Sequence, residues 1–192
     1  SAKDVEFEST INCAQLTQTA GSGTSAFLDT VTASGAISLT GNIFTFAKDV
    51  TTQRSLLTKG DTILFGGAIS AVNDISITGN AVTLQKQVTT NGELSVTHSG
   101  IFTIAEEADI TADKGFIQYG TGTLAIGGTS STTSITTKNA PISFNGSGTL
   151  TLKGDIFLTS SSDTENGGNI NINTPVEPAD NSAQSLTLSA GK

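Results

Sequence analysis

Apolar side chains recur along this chain with a constant 19-residue step. Three series keep the step through four members each: Val31, Val50, Ile69 and Val88; Ile37, Leu56, Ile75 and Leu94; Phe44, Ile63, Val82 and Ile101. A fixed period of about this length is typical of one supersecondary unit stacked on copies of itself. The repeat therefore predicts a solenoid, whose stability comes from contacts between neighbouring coils.

Within the coil that spans residues 31–49, apolar residues occur in pairs separated by one position. Ile37 and Leu39 form one pair, and Phe44 and Phe46 form the other. Residues two apart point to the same face of a strand. Each coil is therefore predicted to hold two short strands, with a third inward contact at its first position. Gly, Asn, Ser and Asp fill the gaps and indicate turns.

Parallel stacking explains why equivalent positions keep the same step, whereas an antiparallel meander does not. Stacked strands lie about 4.8 Å apart, so equivalent side chains form columns along the axis. The spacing does not fit the hexapeptide rhythm of a left-handed β-helix. We therefore predict an all-β fold, a single-stranded right-handed parallel β-helix with about 19 residues per coil. Two core columns are expected: Ile37, Leu56, Ile75, Leu94, Phe116 and Ile135; Phe46, Phe65, Leu84, Ile104, Ile126 and Phe144.

The pattern extends over the whole chain with some irregular coils. Val88 and Ile110 bound a longer, 22-residue coil, and the register is expected to shorten after Phe144. Residues 1–192 are interpreted as one solenoid segment of roughly nine or ten coils, a fragment of a longer chain.

Charge and cysteine content exclude several classes of function. The formal net charge is −8, without a basic cluster, which argues against binding nucleic acid or an anionic membrane surface. No apolar run approaches the length of a membrane-spanning helix, which is roughly 18 residues or more. Cys13 is the only cysteine, so no intrachain disulfide can form, and a small buried or half-buried thiol is the simplest interpretation.

Several units resemble the repeats of one family of bacterial surface proteins. The units are Gly35–Asn42, Asp74–Asn80 and Gln184–Gly191. They look like the repeats of filamentous-haemagglutinin-like adhesins and related autotransporter-type surface proteins of Gram-negative bacteria. The resemblance implies a β-helical stalk, type V secretion with an outer-membrane partner, and a secreted or cell-surface location. It implies adhesion to a glycan or protein on a host or neighbouring cell, and it carries over no catalytic, cofactor-binding or metal-binding residue.

One carboxylate cluster lies in the 22-residue coil and consists of Glu106, Glu107, Asp109 and Asp113. Oxygen-rich clusters can bind Ca²⁺, which takes six to eight oxygen ligands. The alternative, which we favour, is a solvated loop where the coil bulges. The predicted contact region for a receptor is a different loop, Thr159–Gly168, because loops on rigid scaffolds carry binding function.

The alternative function is that of a polysaccharide lyase or hydrolase on the same scaffold. Such enzymes need paired carboxylates in one groove. The 19-step column instead mixes charged and neutral residues: Asp49, Ala68, Gln87 and Glu106. The single histidine, His98, follows a strand and is expected in an exposed turn, without partners for a triad or a metal site. A third possibility is a module that assembles into fibres through its strand edges.

Hydroxyl side chains occupy matching outward positions, for example Thr32, Thr51, Ser70 and Thr89. A regular threonine array is also typical of ice-binding solenoids. In a second array, Leu57 and Lys59 interrupt the series, which favours the ordinary preference of Thr and Ser for exposed strand positions.

Overall fold

A computed structural model describes residues 3–161, 167–180 and 184–191. These residues form 26 β-strands in three parallel sheets of nine, nine and eight strands. No helix is present among them, and hence none that could cross a membrane. The chain is a parallel β-solenoid of about eight turns with about 20 residues per turn, which confirms the predicted fold class.

Each turn contributes one strand to each sheet, in the order A, B, C. Sheet A contains β1 Val5–Phe7, β4 Thr24–Phe27, β7 Ile43–Phe46, β10 Thr62–Phe65, β13 Ala81–Leu84, β16 Phe102–Ile104, β19 Leu124–Ile126, β22 Leu150–Leu152 and β25 Val176–Pro178. Sheet B contains β2 Ile11–Cys13, β5 Val31–Ala33, β8 Val50–Thr52, β11 Ile69–Ala71, β14 Val88–Thr90, β17 Ile110–Ala112, β20 Thr133–Thr137, β23 Ile156–Ser160 and β26 Leu186–Ala190. Sheet C contains β3 Leu16–Gln18, β6 Ile37–Thr40, β9 Leu56–Lys59, β12 Ile75–Gly79, β15 Leu94–His98, β18 Phe116–Gly120, β21 Ile142–Phe144 and β24 Ile170–Ile172.

Sheet B corrects the prediction of two strands and a single contact per coil. The predicted contact at Val31 is the first inward residue of β5, and Ala33 is the second. In successive turns the equivalent second position alternates between alanine and threonine: Ala33, Thr52, Ala71, Thr90 and Ala112. Small or hydroxyl-bearing residues leave no apolar signal at this position, so the pattern of large apolar residues missed the third strand.

The inward threonines also complete the backbone hydrogen bonding of the corner that follows sheet B. The hydroxyl of Thr90 donates to the carbonyl of Asn73 in the coil before and accepts the N–H of Gly92 at 3.0 Å. In the same way, the hydroxyl of Thr52 donates to the carbonyl of Gly35 and accepts the N–H of Arg54. A buried hydroxyl is stable here because it pairs with backbone groups that would otherwise lack partners.

The core is a continuous apolar interior enclosed by the three sheets. Val31, Val50, Ile69 and Val88 stack in register, as predicted from their constant step. Four phenylalanines of sheet A stack face to face with centroids 4.6 to 5.0 Å apart: Phe7, Phe27, Phe46 and Phe65. Because no coil can bury its inward residues alone, each turn depends on the turns above and below it.

The third 19-step series is wrong at its last member. Val82 pairs with Phe102, and Ile101 is 49% exposed. One additional residue lies between sheets C and A in this turn, in the segment between His98 and Phe102. The constant step therefore continues only as far as Val82 in this column.

The predicted register is also wrong after Ile126. Phe116 pairs with Ile142, whereas Ile135 pairs with Ile110. Likewise, Leu152 lies above Ile126, and Phe144 lies above Gln118. The turns lengthen in this part of the chain because segment 127–132 is inserted between sheets A and B. Ile135 keeps the 19-residue step from Phe116 only by coincidence, since the insertion moves it into the next sheet.

Candidate functional site

The segments that join each sheet A strand to the following sheet B strand form one edge of the solenoid, which we call the A–B corner. In the first turns this corner is short, as in residues 47–49 between β7 and β8. It lengthens to residues 105–109 and then to 127–132 in later turns. The insertions stack near one another, so the regular prism acquires an irregular, concave edge at this corner.

A groove of about 500 Å³ lies where the inserted segment meets the following turns. Its lining is rich in hydroxyl and charged groups: Gly128, Thr129, Ser130, Ser131, Thr132, Lys153, Gly154, Asp155, Asp180 and Gln184. We call it the corner groove. Clefts with several convergent polar groups are the usual sites of ligand recognition. It is therefore the best candidate site among the described residues.

Asp155 is held in place at the rim of the corner groove by the next turn. One of its carboxylate oxygens accepts hydrogen bonds from the hydroxyl and the backbone N–H of Ser185, both at 2.8 Å. These bonds lower the pKa of Asp155, the hydroxyl bond contributing most. The carboxylate is therefore ionised and oriented at neutral pH.

The same contact recurs at other turns of the solenoid. Asp49 accepts the N–H of Ala68 at 2.9 Å, Asp74 accepts that of Glu93 at 2.9 Å, and Asp109 accepts that of Ser134 at 2.7 Å. A carboxylate that precedes a strand thus clamps the backbone of the following turn. For Asp155 this structural role and a role in the groove are compatible, because its second oxygen is not used in the clamp.

Phe157 lies on the outward face of sheet B next to this corner. It is 43% exposed and pairs with Ser134 on one side and Thr187 on the other. The inward neighbours Ile156 and Leu158 are buried, so the ring of Phe157 stands on the outer surface close to the Asp155 rim. Phe157 is not among the residues that line the corner groove, but it follows Asp155 by two residues on the same outward face. An exposed aromatic ring at this place is chemically suited to sugar rings, whose C–H faces stack on aromatic surfaces.

The predicted carboxylate cluster does not converge on one point. Glu106 accepts the N–H of Ser130 at 2.6 Å and Glu107 pairs with Lys86. Asp109 accepts hydrogen bonds from Ser134, and Asp113 pairs with Lys138 at 2.7 Å. Each carboxylate contacts a different element. Within residues 3–161, 167–180 and 184–191, no three His, Cys, Asp or Glu side chains are grouped as metal ligands would be.

The predicted 19-step column of Asp49, Ala68, Gln87 and Glu106 is correct only in its first three members. Val50, Ile69 and Val88 donate to the carbonyls of Ala68, Gln87 and Asp109, respectively. Asp109 therefore follows Gln87 in the column, and Glu106 belongs to the inserted residues before it. The 22-residue step of this turn displaced the prediction by three positions.

His98 is not an exposed turn residue, which corrects the prediction. It ends β15 and is only 2% exposed. Burial lowers its pKa, and a hydrogen bond to the carbonyl of Gly100 partly opposes that effect. The sequence could not reveal this position, because the equivalent residues in the adjacent turns are Gly79 and Gly120.

Of the predicted contact loop Thr159–Gly168, residues 162–166 lie outside the described residues. Thr159 and Ser160 belong to β23 rather than to a loop. The hydroxyl of Ser160 is buried and lies 2.8 Å from the carbonyl of Ala140 and 2.9 Å from that of Gly168. The described ends of this segment are thus attached to the solenoid.

The outward hydroxyl series on sheet B is longer than predicted. It continues without interruption over eight turns: Thr32, Thr51, Ser70, Thr89, Thr111, Thr136, Thr159 and Ser189. On sheet C, Leu57 and Lys59 interrupt the arrays as predicted.

The corner groove itself was not predicted. Lys153, Asp155 and Asp180 carry no motif, and they come together only because successive turns stack. The available signal was the loss of the 19-residue step after Ile126, which marks an insertion at one corner. No protein-family model, curated protein or solved structure matches this chain significantly.

Proposed function

We propose that this chain is a rigid segment of a large exported surface protein, a β-solenoid stalk that carries a contact site for a glycan at the corner groove. The observation that supports the stalk is the uninterrupted parallel pairing of nine strands in each of two sheets. A continuous core of this kind resists bending because every interior turn is packed on both sides. The resemblance of its repeat units to those of Gram-negative adhesins supports the same proposal.

A glycan is the receptor class that the chemistry of the corner groove favours. Hydroxyl groups of Ser130 and Ser131, the Lys153 ammonium and the Asp155 carboxylate offer both donors and acceptors to sugar hydroxyls. Phe157 adds an apolar platform beside them. A protein receptor on a host or neighbouring cell is the second outcome of the test.

The test is binding of this chain to a glycan array and to whole cells. We expect Phe157→Ser and Lys153→Ala each to lower binding at least tenfold. Two matched controls are Leu57→Ser, a similarly exposed residue (42%) on sheet C, and Lys114→Ala, an exposed lysine outside the groove. Binding to cells but to no glycan would assign a protein receptor. Equal effects of test and control variants would contradict the groove as the contact site.

A polysaccharide-active enzyme is the second candidate, because two carboxylates, Asp155 and Asp180, line the corner groove. Asp155 is kept ionised by Ser185, which suits a base or nucleophile and not an acid. Asp180 accepts a hydrogen bond from Gln184 at 2.9 Å and would have to supply the proton. Release of new reducing or unsaturated ends from bound polysaccharide, lost in Asp155→Asn, would favour the enzyme over the stalk.

A further inference from the structure

His98 occupies a column position at which its neighbours are glycines. It pairs with Gly79 on one side and Gly120 on the other. A Cβ atom on Gly120 would lie 2.1 Å from the His98 carbonyl oxygen and 2.8 Å from its ring carbon Cδ2. The imidazole therefore fills space that the adjacent glycine leaves open, between sheets C and A. The additional residue after His98 and the outward displacement of Ile101 accompany it.

Two hydrogen bonds define the protonation of this ring. Nδ1 of His98 lies 2.9 Å from the carbonyl oxygen of Gly100, and Nε2 lies 2.7 Å from Nε2 of Gln118. A carbonyl can only accept, so Nδ1 carries the proton and donates. The Gln118 amide then donates to Nε2, and the ring is neutral.

The Gln118 side chain is 2% exposed, and its Oε1 has no hydrogen-bond partner. A buried carbonyl oxygen without a donor is unfavourable, so the neutral arrangement leaves one group unsatisfied. If the amide turned by half a rotation, Oε1 would face Nε2 of His98. That orientation requires a proton on Nε2, since Nδ1 already donates to Gly100.

We propose that His98 and Gln118 form an acid-responsive pair, in which protonation of His98 at Nε2 is coupled to a half-turn of the Gln118 amide. In the acid form both ring nitrogens donate, Nδ1 to Gly100 and Nε2 to Oε1 of Gln118. The amide nitrogen then takes the place of the orphaned oxygen. The carbonyl of Gly120 lies on the same side as this space, because a Cβ atom on Gly146 would lie 2.8 Å from that carbonyl oxygen and 3.4 Å from Oε1 of Gln118.

The groups packed around the ring are uncharged. β12 contributes Gly79, β18 contributes Gln118 and Gly120, and β16 contributes Phe102, whose ring centroid lies 5.6 Å away. The charged side chains of this corner, Lys59 and Asp61, line an outer groove of about 520 Å³ that His98 also borders. Protonation therefore places a positive charge beneath this outer groove, with Gln118 as the acceptor that makes the charge tolerable.

The experiment is an NMR titration of the folded protein between pH 8 and pH 4.5. His98 is the only histidine, so its ring nitrogen signals need no assignment among several residues. We expect reversible protonation of Nε2 in the folded state, and a shift of the Gln118 side-chain amide signals with the same midpoint. Midpoints that differ, or a ring that stays neutral until the protein unfolds, would overturn the proposal.

Gln118→Met removes the acceptor while keeping the shape of the side chain. It should lower the midpoint of His98 by one pH unit or more, which is a tenfold change in proton affinity. Gln18→Met is the matched control: Gln18 lies in the same inward column and accepts the Ser25 hydroxyl at 2.9 Å. An unchanged midpoint in Gln118→Met contradicts the pair. If Gln118→Met fails to fold, the wild-type Gln118 amide signals still decide the question.

Discussion

The rings of Phe46 and Phe65 stack 4.6 Å apart with their planes within 4° of parallel. They belong to consecutive turns and occupy the same position of sheet A. The distance between the rings matches the distance between stacked strands, so the geometry of the sheet imposes face-to-face contact. The stack links four turns at the N-terminal side of the core.

Replacing Phe46 tests this stack, because its ring lies between those of Phe27 and Phe65. Phe46→Ala should lower the free energy of unfolding by about 3–5 kcal/mol, through lost burial and the cavity it leaves. Urea denaturation followed by circular dichroism measures the change. Thr45→Ala, at the outward neighbour, should cost far less. Similar losses in the two variants would show that Phe46 is not inward.

The pair Ile101 and Phe102 tests the register where the 19-residue step fails. Phe102→Ser should destabilise strongly, by about 3 kcal/mol or more, because it removes a fully buried ring. Ile101→Ser should stay within about 0.5 kcal/mol of wild type, as exposed positions usually do. Thermal melting of both variants measures this difference in stability. The opposite order would restore the simple 19-residue column.

Thr90 is expected to stabilise the fold through its hydroxyl rather than its volume. Thr90→Val keeps the shape but leaves the Asn73 carbonyl and the Gly92 N–H without this partner. We expect a loss of about 1–3 kcal/mol, the usual cost of an unsatisfied buried polar group. The control is Thr89→Val, the outward neighbour on the same strand. A neutral effect at Thr90 would contradict the stabilising role of its hydroxyl.

The lowered pKa of Asp155 predicts that the stability of the protein depends on pH. Its pKa in the folded protein lies below the ordinary value of 3.8, because Ser185 donates to it. The unfolded chain therefore binds this proton more readily than the folded one, and stability is lost as pH falls below 3.8 through the folded pKa. Asp155→Asn should lower the melting temperature at pH 7, and the difference from wild type should shrink as the pH falls below 3.8. Ser185→Ala should reduce this pH-dependent loss, because it removes the hydroxyl hydrogen bond that contributes most to the lowered pKa. A constant offset between wild type and Asp155→Asn at every pH would contradict the role of this carboxylate.

The fold class was predictable because the strongest determinant is periodic. Val31 and Val50 must stack if both are inward and the coil length is constant, and the structure confirms this. The prediction failed at Ile135, because an insertion of polar residues has no apolar marker of its own. It also failed at Ala33 and Thr52. A third strand lies there, and its inward residues are too small or too polar to be recognised as core residues from the sequence.

The site was less predictable than the fold for the same physical reason. Glu106 and Asp109 are close in sequence, and yet they clamp different segments of the next turn, at Ser130 and Ser134. Asp155 and Ser185 are far apart along the chain and form two hydrogen bonds. Proximity along the chain is therefore a poor guide to proximity at a corner, where the number of inserted residues decides which side chains meet.

Spacing of apolar residues was sufficient to specify a wound, parallel ribbon with a stacked core, because burying those side chains leaves few other arrangements. The corners follow a different physical rule. Their loops vary in length, and backbone hydrogen bonds between turns decide where each polar side chain is placed. Only after the turns are stacked do Lys153, Asp155 and Asp180 line one groove, and only then does His98 occupy a buried space next to Gly120.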